Sequence, residues 1–186
     1  MSEIIVDTSD LEKIVEQLPL FPREAHAAMN AALNRTTSRV VTNILKDVAN
    51  EYAIKRPQVR KTIGVKKSRV STLTAEVDVT GSRIKMGSFQ FTHAENRYRS
   101  PVSVKIKKSN GMVTSNSQPP LFVGKGQVYH RTPHDKYKVG WAFSLSVPQM
   151  VSNDEVYNTI ADDAHEFLMD RFNHELQYRL KKTLGV

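Results

Sequence analysis

Histidine and glutamate pairs are the first residues of this chain whose types and spacing could hold a metal. His130 and His134 lie four residues apart, a spacing that can seat a metal on a helix. Pro133 lies between them and disfavours a helix there. The pairs His165-Glu166 and His174-Glu175 do not extend to the His-Glu-x-x-His pattern of zinc proteases. We therefore expect no metal site and no cofactor, with a solvated loop around His130.

No other set of residues has the pattern of a catalytic site. The eight glycines are scattered and form no phosphate-binding loop, and the chain has no cysteine for thiolate chemistry or Cys-based zinc binding. Ser103 and Ser144 lie in strand-like segments without the sharp turn that exposes a nucleophilic serine. Carboxylates at helical spacing fit a polar helix face better than acid–base chemistry. We expect no catalytic residue and a protein that is not an enzyme. The carboxylates considered for such chemistry are Asp154, Asp162, Asp163, Glu166 and Asp170, and those that mark the polar helix face are Glu155, Asp162, Glu166 and Asp170.

The basic residues are the one set whose chemistry points to a partner. Positive groups contact a phosphate backbone with little sequence reading. No recognition helix or aromatic RNA motif accompanies them, so an acidic surface of another subunit and a solvated face stay open as alternatives. The basic residues form two clusters along the chain, and the second also includes Arg97 and Arg99, with Tyr98 between these arginines. The candidate contacts to an anionic partner are Lys55, Arg56, Arg60, Lys61, Lys66, Lys67, Arg69, Lys105, Lys107 and Lys108.

Charge is distributed unevenly along the chain. The 27 Lys/Arg and 19 Asp/Glu of its 186 residues give a net charge of +8. Residues 1–51 carry −3, residues 52–140 carry +14 and residues 141–186 carry −3. No apolar run reaches the length of a membrane span, and the N-terminus lacks the pattern of a signal peptide. We expect no membrane partner and synthesis in a reducing cytoplasm.

Two helices are predicted before this basic middle segment, and one is predicted after it. Ser9-Asp10-Leu11-Glu12 has the form of a capping box and begins a short helix that Pro19 ends. A long helix from about Arg23 to Tyr52 follows, with an Ala-rich first half that another helix can approach closely. Its length of roughly 45 Å indicates an arm that meets a neighbouring subunit, or a kink near residues 34–37.

The last helix begins at a second capping box, Ser152-Asn153-Asp154-Glu155. Its apolar residues recur mostly every four positions, a step that drifts by about 40° around a helix. The second half of this stripe therefore faces a different direction from the first unless the helix bends. We expect Phe172, Leu176 and Leu180 to form a subunit interface, with a bend as the alternative.

The middle of the chain alternates apolar and polar residues with a period of two, which is typical of strands. The pattern is clear at residues 73–80, 83–86 and 102–107, and shorter candidates lie at 121–123, 128–130 and 141–143. Residues 115–120 and 132–137 are polar, contain proline and are predicted to be exposed loops. A short helix is expected at 57–62.

These elements predict an α+β fold. It comprises a long N-terminal helix, a central, largely antiparallel β-sheet, and a long C-terminal helix packed on the sheet. We expect a single domain over 1–186, with a helical arm (1–52), a basic β-rich core (53–150) and a C-terminal helix (151–182).

Several short motifs, in this order, resemble the phage and prophage minor tail protein Z family. They are the run from Tyr52 to Lys61, the segments 65–68 and 73–77, the basic strand 104–108, and Ser146-Val147-Pro148-Gln149-Met150 before the final helix. The resemblance covers about residues 20–180, although the loops at 91–100 and 111–120 depart from the family's pattern.

This resemblance implies a structural protein of a long-tailed phage that completes the tail at its head-proximal end. It implies contacts with tail-tube or tail-terminator subunits, a homo-oligomeric ring made by protein–protein contacts, and non-specific proximity to DNA. It supplies no catalytic residues. A basic DNA-binding accessory protein that acts alone is the alternative.

Overall fold

The computed structural model describes residues 2–4, 13, 20–92, 101–117, 119–132 and 135–185. The predicted helix after Ser9, including its capping box, lies outside the described residues, as does the group Arg97, Tyr98 and Arg99. Elsewhere the predicted α+β class is confirmed, with two long helices and several small antiparallel sheets. None of the described helices is both long and apolar enough to span a membrane.

The described residues form two compact units, each assembled from separate segments of the chain. The helical unit comprises Met1–Leu45, Ile63–Thr80 and Val151–Val186, and the basic unit comprises Lys46–Thr62 and Gly81–Met150. The three successive blocks expected from the sequence therefore do not coincide with these units. The helical unit holds 11 Lys/Arg and 15 Asp/Glu, a net charge of −4, whereas the basic unit holds 16 and 4, a net charge of +12.

Helix α1 spans Pro22–Glu51 and helix α4 spans Asp154–Leu184. Pro22 suits the first turn of α1, where its missing N–H costs no hydrogen bond. The residue that caps α4 is Asn153 and not Ser152, because the Asn153 side chain accepts a hydrogen bond from the Glu155 N–H at 3.2 Å. Gly185, with φ +73°, ends α4 in the left-handed conformation that glycine adopts without strain.

The core of the helical unit joins the two long helices. Phe172 and Leu176 of α4 are 0% and 9% exposed, and they pack against the small-residue face of α1 formed by Ala25, Ala28 and Ala32. Leu180 is partly buried against the same cluster. The expectation that Phe172 and Leu176 form a subunit interface is therefore corrected, whereas for the partly exposed Leu180 it stays a prediction. The apolar stripe does wind around α4, but its second half is covered by α1 of the same chain.

The strands of the described chain form four small antiparallel sheets instead of one central sheet. In the helical unit, β1 (Ser2–Ile4), β3 (Glu76–Val79) and β2 (Ile63–Lys66) pair in that spatial order. The alternation predicted for residues 73–80 is confirmed in β3, where Val77 and Val79 are buried.

The basic unit holds the other three sheets. They are β10-β9-β8, β11-β4 and β5-β6-β7, each given in spatial order. Residues 132–137 were predicted to be an exposed loop, but Thr132 ends β9 and Asp135 begins β10, and these two residues are paired. The strand bounds are β4 Arg83–Lys85, β5 Gln90–Thr92, β6 Ser103–Lys105, β7 Val113–Thr114, β8 Leu121–Gly124, β9 Gln127–Thr132, β10 Asp135–Trp141 and β11 Phe143–Ser146.

Two short helices and one tight turn complete the basic unit. Helix α2 (Arg56–Arg60) is held by the fully buried Val59. Strands β8 and β9 are joined by Lys125 and Gly126, both with positive φ, as a two-residue hairpin turn requires. Helix α3 (Val147–Val151) begins after Ser146, whose hydroxyl accepts from the Gln149 N–H while the Gln149 side chain accepts from the Ser146 N–H. This reciprocal cap accounts for the Ser-x-x-Gln spacing there.

Candidate functional site

The ten predicted basic contacts are divided between the two compact units. Lys66, Lys67 and Arg69 belong to the helical unit, where they line an open depression of about 490 Å³ together with Thr72, Thr74 and Glu76. Lys66 forms an ion pair with Glu76, so one of these three positive charges is locally balanced. The other seven residues belong to the basic unit.

Two of those seven fasten the chain to the end of α1. Lys107 Nζ lies 3.2 Å from the Glu51 carboxylate, and Lys108 Nζ donates to the carbonyl oxygen of Ala49. The backbone continues this contact, because the Ala53 N–H donates to the Ile106 carbonyl at 2.8 Å. Lys107 and Lys108 therefore have a structural role in the basic unit.

Lys55, Arg56 and Lys61 are the predicted contacts best placed to meet a partner. They are exposed around the single turn of α2, and none of them forms an ion pair with any residue that the structure describes. Arg60 is exposed on the same turn. Because Val59 anchors the turn while these cations point to solvent, α2 presents a fixed positive surface.

A row of aromatic residues that was not predicted crosses the basic unit. The Phe122 and Tyr129 rings stack with centroids 5.8 Å apart, and the Tyr129 and Trp141 rings lie 4.7 Å apart. These residues are neighbours because β8, β9 and β10 place them directly opposite each other. The strands β8 and β9 were predicted, but the pairing that aligns the rings depends on their register.

Cations lie against this row. Lys85 Nζ is 3.5 Å from the centre of a Trp141 ring, and the Arg131 guanidinium carbon is 5.9 Å from the centre of the Phe122 ring. Each contact is a cation–π interaction of about 0.5–1 kcal/mol at an exposed site. We name this surface the aromatic face and define it by Phe122, Tyr129, Trp141, Lys85 and Phe143. Phe143 is included because it lies opposite Lys85 in the β11–β4 pair.

Beside it, the basic unit has an apolar groove of about 470 Å³. Phe143 belongs both to the groove and to the aromatic face. Arg83 and Lys107 supply positive charge, and no carboxylate is among the described lining residues. The remaining lining residues are Val104, Ile106, Asn110, Val113, Ser144, Leu145 and Gln149.

Charged side chains in the helical unit serve to join its helices. Arg39 of α1 donates two hydrogen bonds to Asp163 of α4, at 2.8 and 3.0 Å, and Asn43 donates a third at 2.6 Å. The hydrogen bonds from Arg39, reinforced by the negative charge of Asp163, raise the pKa of Arg39. Asp163 is one of the carboxylates for which the sequence predicts no acid–base role, and the structure gives it this specific role in joining α1 to α4.

The described residues contain no cluster of histidine, cysteine or carboxylate side chains able to hold a metal. His130 lies in β9 with Nδ1 3.1 Å from the Arg131 carbonyl oxygen, whereas His134 lies outside the described residues. The features of the described chain that could contact a partner are the exposed cations of α2 and the aromatic face.

Comparison with known proteins gives one match. Residues 9–186 match the family model described as prophage minor tail protein Z (GPZ). Neither the curated proteins nor the solved structures that were searched gave a match.

Proposed function

Because the chain belongs to the prophage minor tail protein Z family, and is thus a structural component of a phage tail, we propose that it completes the head-proximal end of a long tail. In this proposal it contacts tail-tube or tail-terminator subunits and assembles as a ring near the DNA path. It is made and assembled in the host cytoplasm and has no enzyme activity.

The observation that carries this proposal is the family match over nearly the whole chain. The separation of charge supports assembly through contacts between subunits, since the −4 helical unit of one copy is attractive to the +12 basic unit of another. Head-to-tail contacts of this kind make a ring when the rotation between subunits closes.

Counting copies in purified phage particles tests the tail role. We expect quantitative mass spectrometry to give a small, fixed number of copies per particle, consistent with one ring. The tail-tube subunit of the same particles provides the internal standard, because its count must be far larger. Absence of the chain from intact particles would contradict the proposal.

A DNA-binding accessory protein that acts alone is the second candidate, favoured by the exposed cations of α2. Phosphate contacts release counterions, so the logarithm of the binding constant falls with a slope of about −0.9 per contact as the logarithm of salt rises. For a tail subunit we expect duplex binding no tighter than roughly 10⁻⁶ M at physiological salt, the range of non-specific binding.

Variants without selected positive charges sharpen this test. If the chain is a tail subunit, the α2 variant, in which Lys55, Arg56 and Lys61 are replaced by glutamine, should still be incorporated into particles. The variant Lys181→Gln with Lys182→Gln, which removes two positive charges from α4, controls for loss of charge elsewhere. The DNA-binding candidate would be favoured if the wild-type chain bound duplex DNA tightly. In that case the slope of the logarithm of the binding constant against the logarithm of salt should decrease in magnitude by about 3 in the α2 variant only.

A further inference from the structure

The solvent side of β10 and β11 in the basic unit carries large apolar side chains in succession. Val139, Trp141 and Phe143 are 52%, 38% and 46% exposed, while Ala142 between the last two is buried. Residues two apart on an extended chain point to the same side. Lys85 also joins Trp141 to Phe143, since its Nζ lies over the Trp141 ring and its backbone is opposite Phe143. Contiguous exposed apolar surface of this kind marks an interaction site.

The composition of the aromatic face is that of a protein interface. Trp, Tyr and Arg dominate the residues that contribute most to binding between proteins. Nucleic acid fits less well, because bases bind by stacking on free ring faces. The Trp141 ring already contacts both Lys85 and Tyr129, and Tyr129 also stacks on Phe122.

The charge around this surface specifies the partner. The adjoining groove is apolar and contains two cations, of which Lys107 is paired with Glu51, so that Arg83 supplies the positive charge available to a partner there. Arg83 is exposed and forms no ion pair within the described part of the chain. A complementary partner therefore presents carboxylates beside modest apolar surface.

The chain itself carries such a surface on the helical unit. Glu155, Asp162, Glu166 and Asp170 are exposed along one side of α4, and none forms an ion pair with a described residue. They span about 22 Å at the 1.5 Å rise of a helix. The partly exposed Met169 lies three residues from Glu166, and the partly exposed Phe167 lies three residues from Asp170, so modest apolar surface adjoins these carboxylates. We name these four carboxylates the acidic stripe.

We propose that the aromatic face and groove of one copy dock on the acidic stripe of a second copy. This inference rests on the proposed ring and names the two surfaces that would build it. The contact is heterologous, since each copy contributes a different surface to each neighbour, and repetition of such a contact closes into a ring or extends as a filament.

Reversing the charge of each surface gives a sharp test with the purified full-length chain. The face variant carries Arg83→Glu and Lys85→Glu, and the stripe variant carries Asp162→Lys and Glu166→Lys. Each variant alone brings like charges together at every contact, so we expect its self-association, measured by analytical ultracentrifugation, to fall about tenfold or more. In an equal mixture, both kinds of contact become attractive again, and association should recover as alternating assemblies.

Controls separate docking from folding. Lys181→Glu with Lys182→Glu changes charge by the same amount outside both surfaces and should leave association intact. Phe143→Ala should weaken association without a change in thermal unfolding, whereas Leu20→Ala, an exposed leucine of the helical unit, should change neither.

Three results would overturn the docking proposal. They are a wild-type chain that stays monomeric, a mixture that does not recover, and cross-links from the aromatic face to a different tail subunit or to DNA. A fixed copy number in particles together with any of these would refute the docking but leave the tail role standing.

Discussion

Replacing Phe172 with alanine should lower the free energy of unfolding of this tail protein by about 3–5 kcal/mol. The Phe172 side chain is 0% exposed and lies between α4 and the Ala25, Ala28 and Ala32 face of α1. Alanine residues opposite a phenylalanine cannot extend to fill the space that it leaves, so the loss combines transfer of the ring with an unfilled cavity. Denaturant unfolding followed by circular dichroism measures this change.

The matched control is Tyr178→Ala on the same helix, where the side chain is mostly exposed and the change should stay within about 0.5 kcal/mol. The experiment also decides between core and interface. If Phe172 were covered by a partner subunit, wild-type stability would rise with protein concentration and the variant would lose that dependence. We expect the loss to be the same at every concentration.

The order of elements was predictable because local patterns encode it. Both long helices, the strands at residues 76–79, 83–85 and 103–105, and the short helix α2 follow from apolar spacing and from proline at helix starts. The interface assigned to Phe172 and Leu176 was wrong for a physical reason. The angular drift of the stripe was real, but periodicity within one helix cannot reveal that the Ala-rich face of α1 covers it.

The arrangement of strands was less predictable. Alternation tells which side chains share a face, but it does not choose the neighbouring strand, and so one sheet was expected where four small ones form. The aromatic face illustrates the same limit. Phe122, Tyr129 and Trp141 lie up to 19 positions apart in sequence and meet only through the registers of β8, β9 and β10.

Likewise, the basic middle of the sequence was a correct observation about composition, but it overstated the separation of charge between the compact units, because residues 52–140 carry +14 and the two ends together carry −6. Segments 63–80 carry part of the positive charge into the helical unit, whereas residues 46–51 and 141–150 join the basic unit. Because the fold draws each unit from distant segments, the contrast between the two units is reduced to −4 against +12.

Glu175 is the buried charge on which the helical unit depends. Its side chain is 8% exposed, and its carboxylate lies 3.1 Å from Arg35 of α1, 3.6 Å from Arg171 and 3.9 Å from Arg179. The Nε atoms of Arg171 and Arg179 are buried and have no hydrogen-bond partner among the residues that the structure describes. One carboxylate thus offsets three guanidinium groups in a partly desolvated cluster.

Replacing Glu175 with glutamine should therefore lower the free energy of unfolding by about 2–3 kcal/mol, since removal of one member of a buried ion pair leaves its partners uncompensated. The value is below that of a fully buried pair because the arginines are partly exposed. Denaturant unfolding at low and high salt measures it, and salt should restore part of the loss by screening repulsion among the arginines.

Glu166→Gln provides the control, because Glu166 is exposed on the same helix without a described partner, and its change should stay within about 0.5 kcal/mol. A Glu175→Gln protein as stable as wild type would show that the arginines are solvated well enough to need no counter-charge. A loss that salt leaves unchanged would assign the role of Glu175 to packing and hydrogen bonding. A loss that salt partly reverses would establish that α1 and α4 are joined by charge as well as by the Phe172 core.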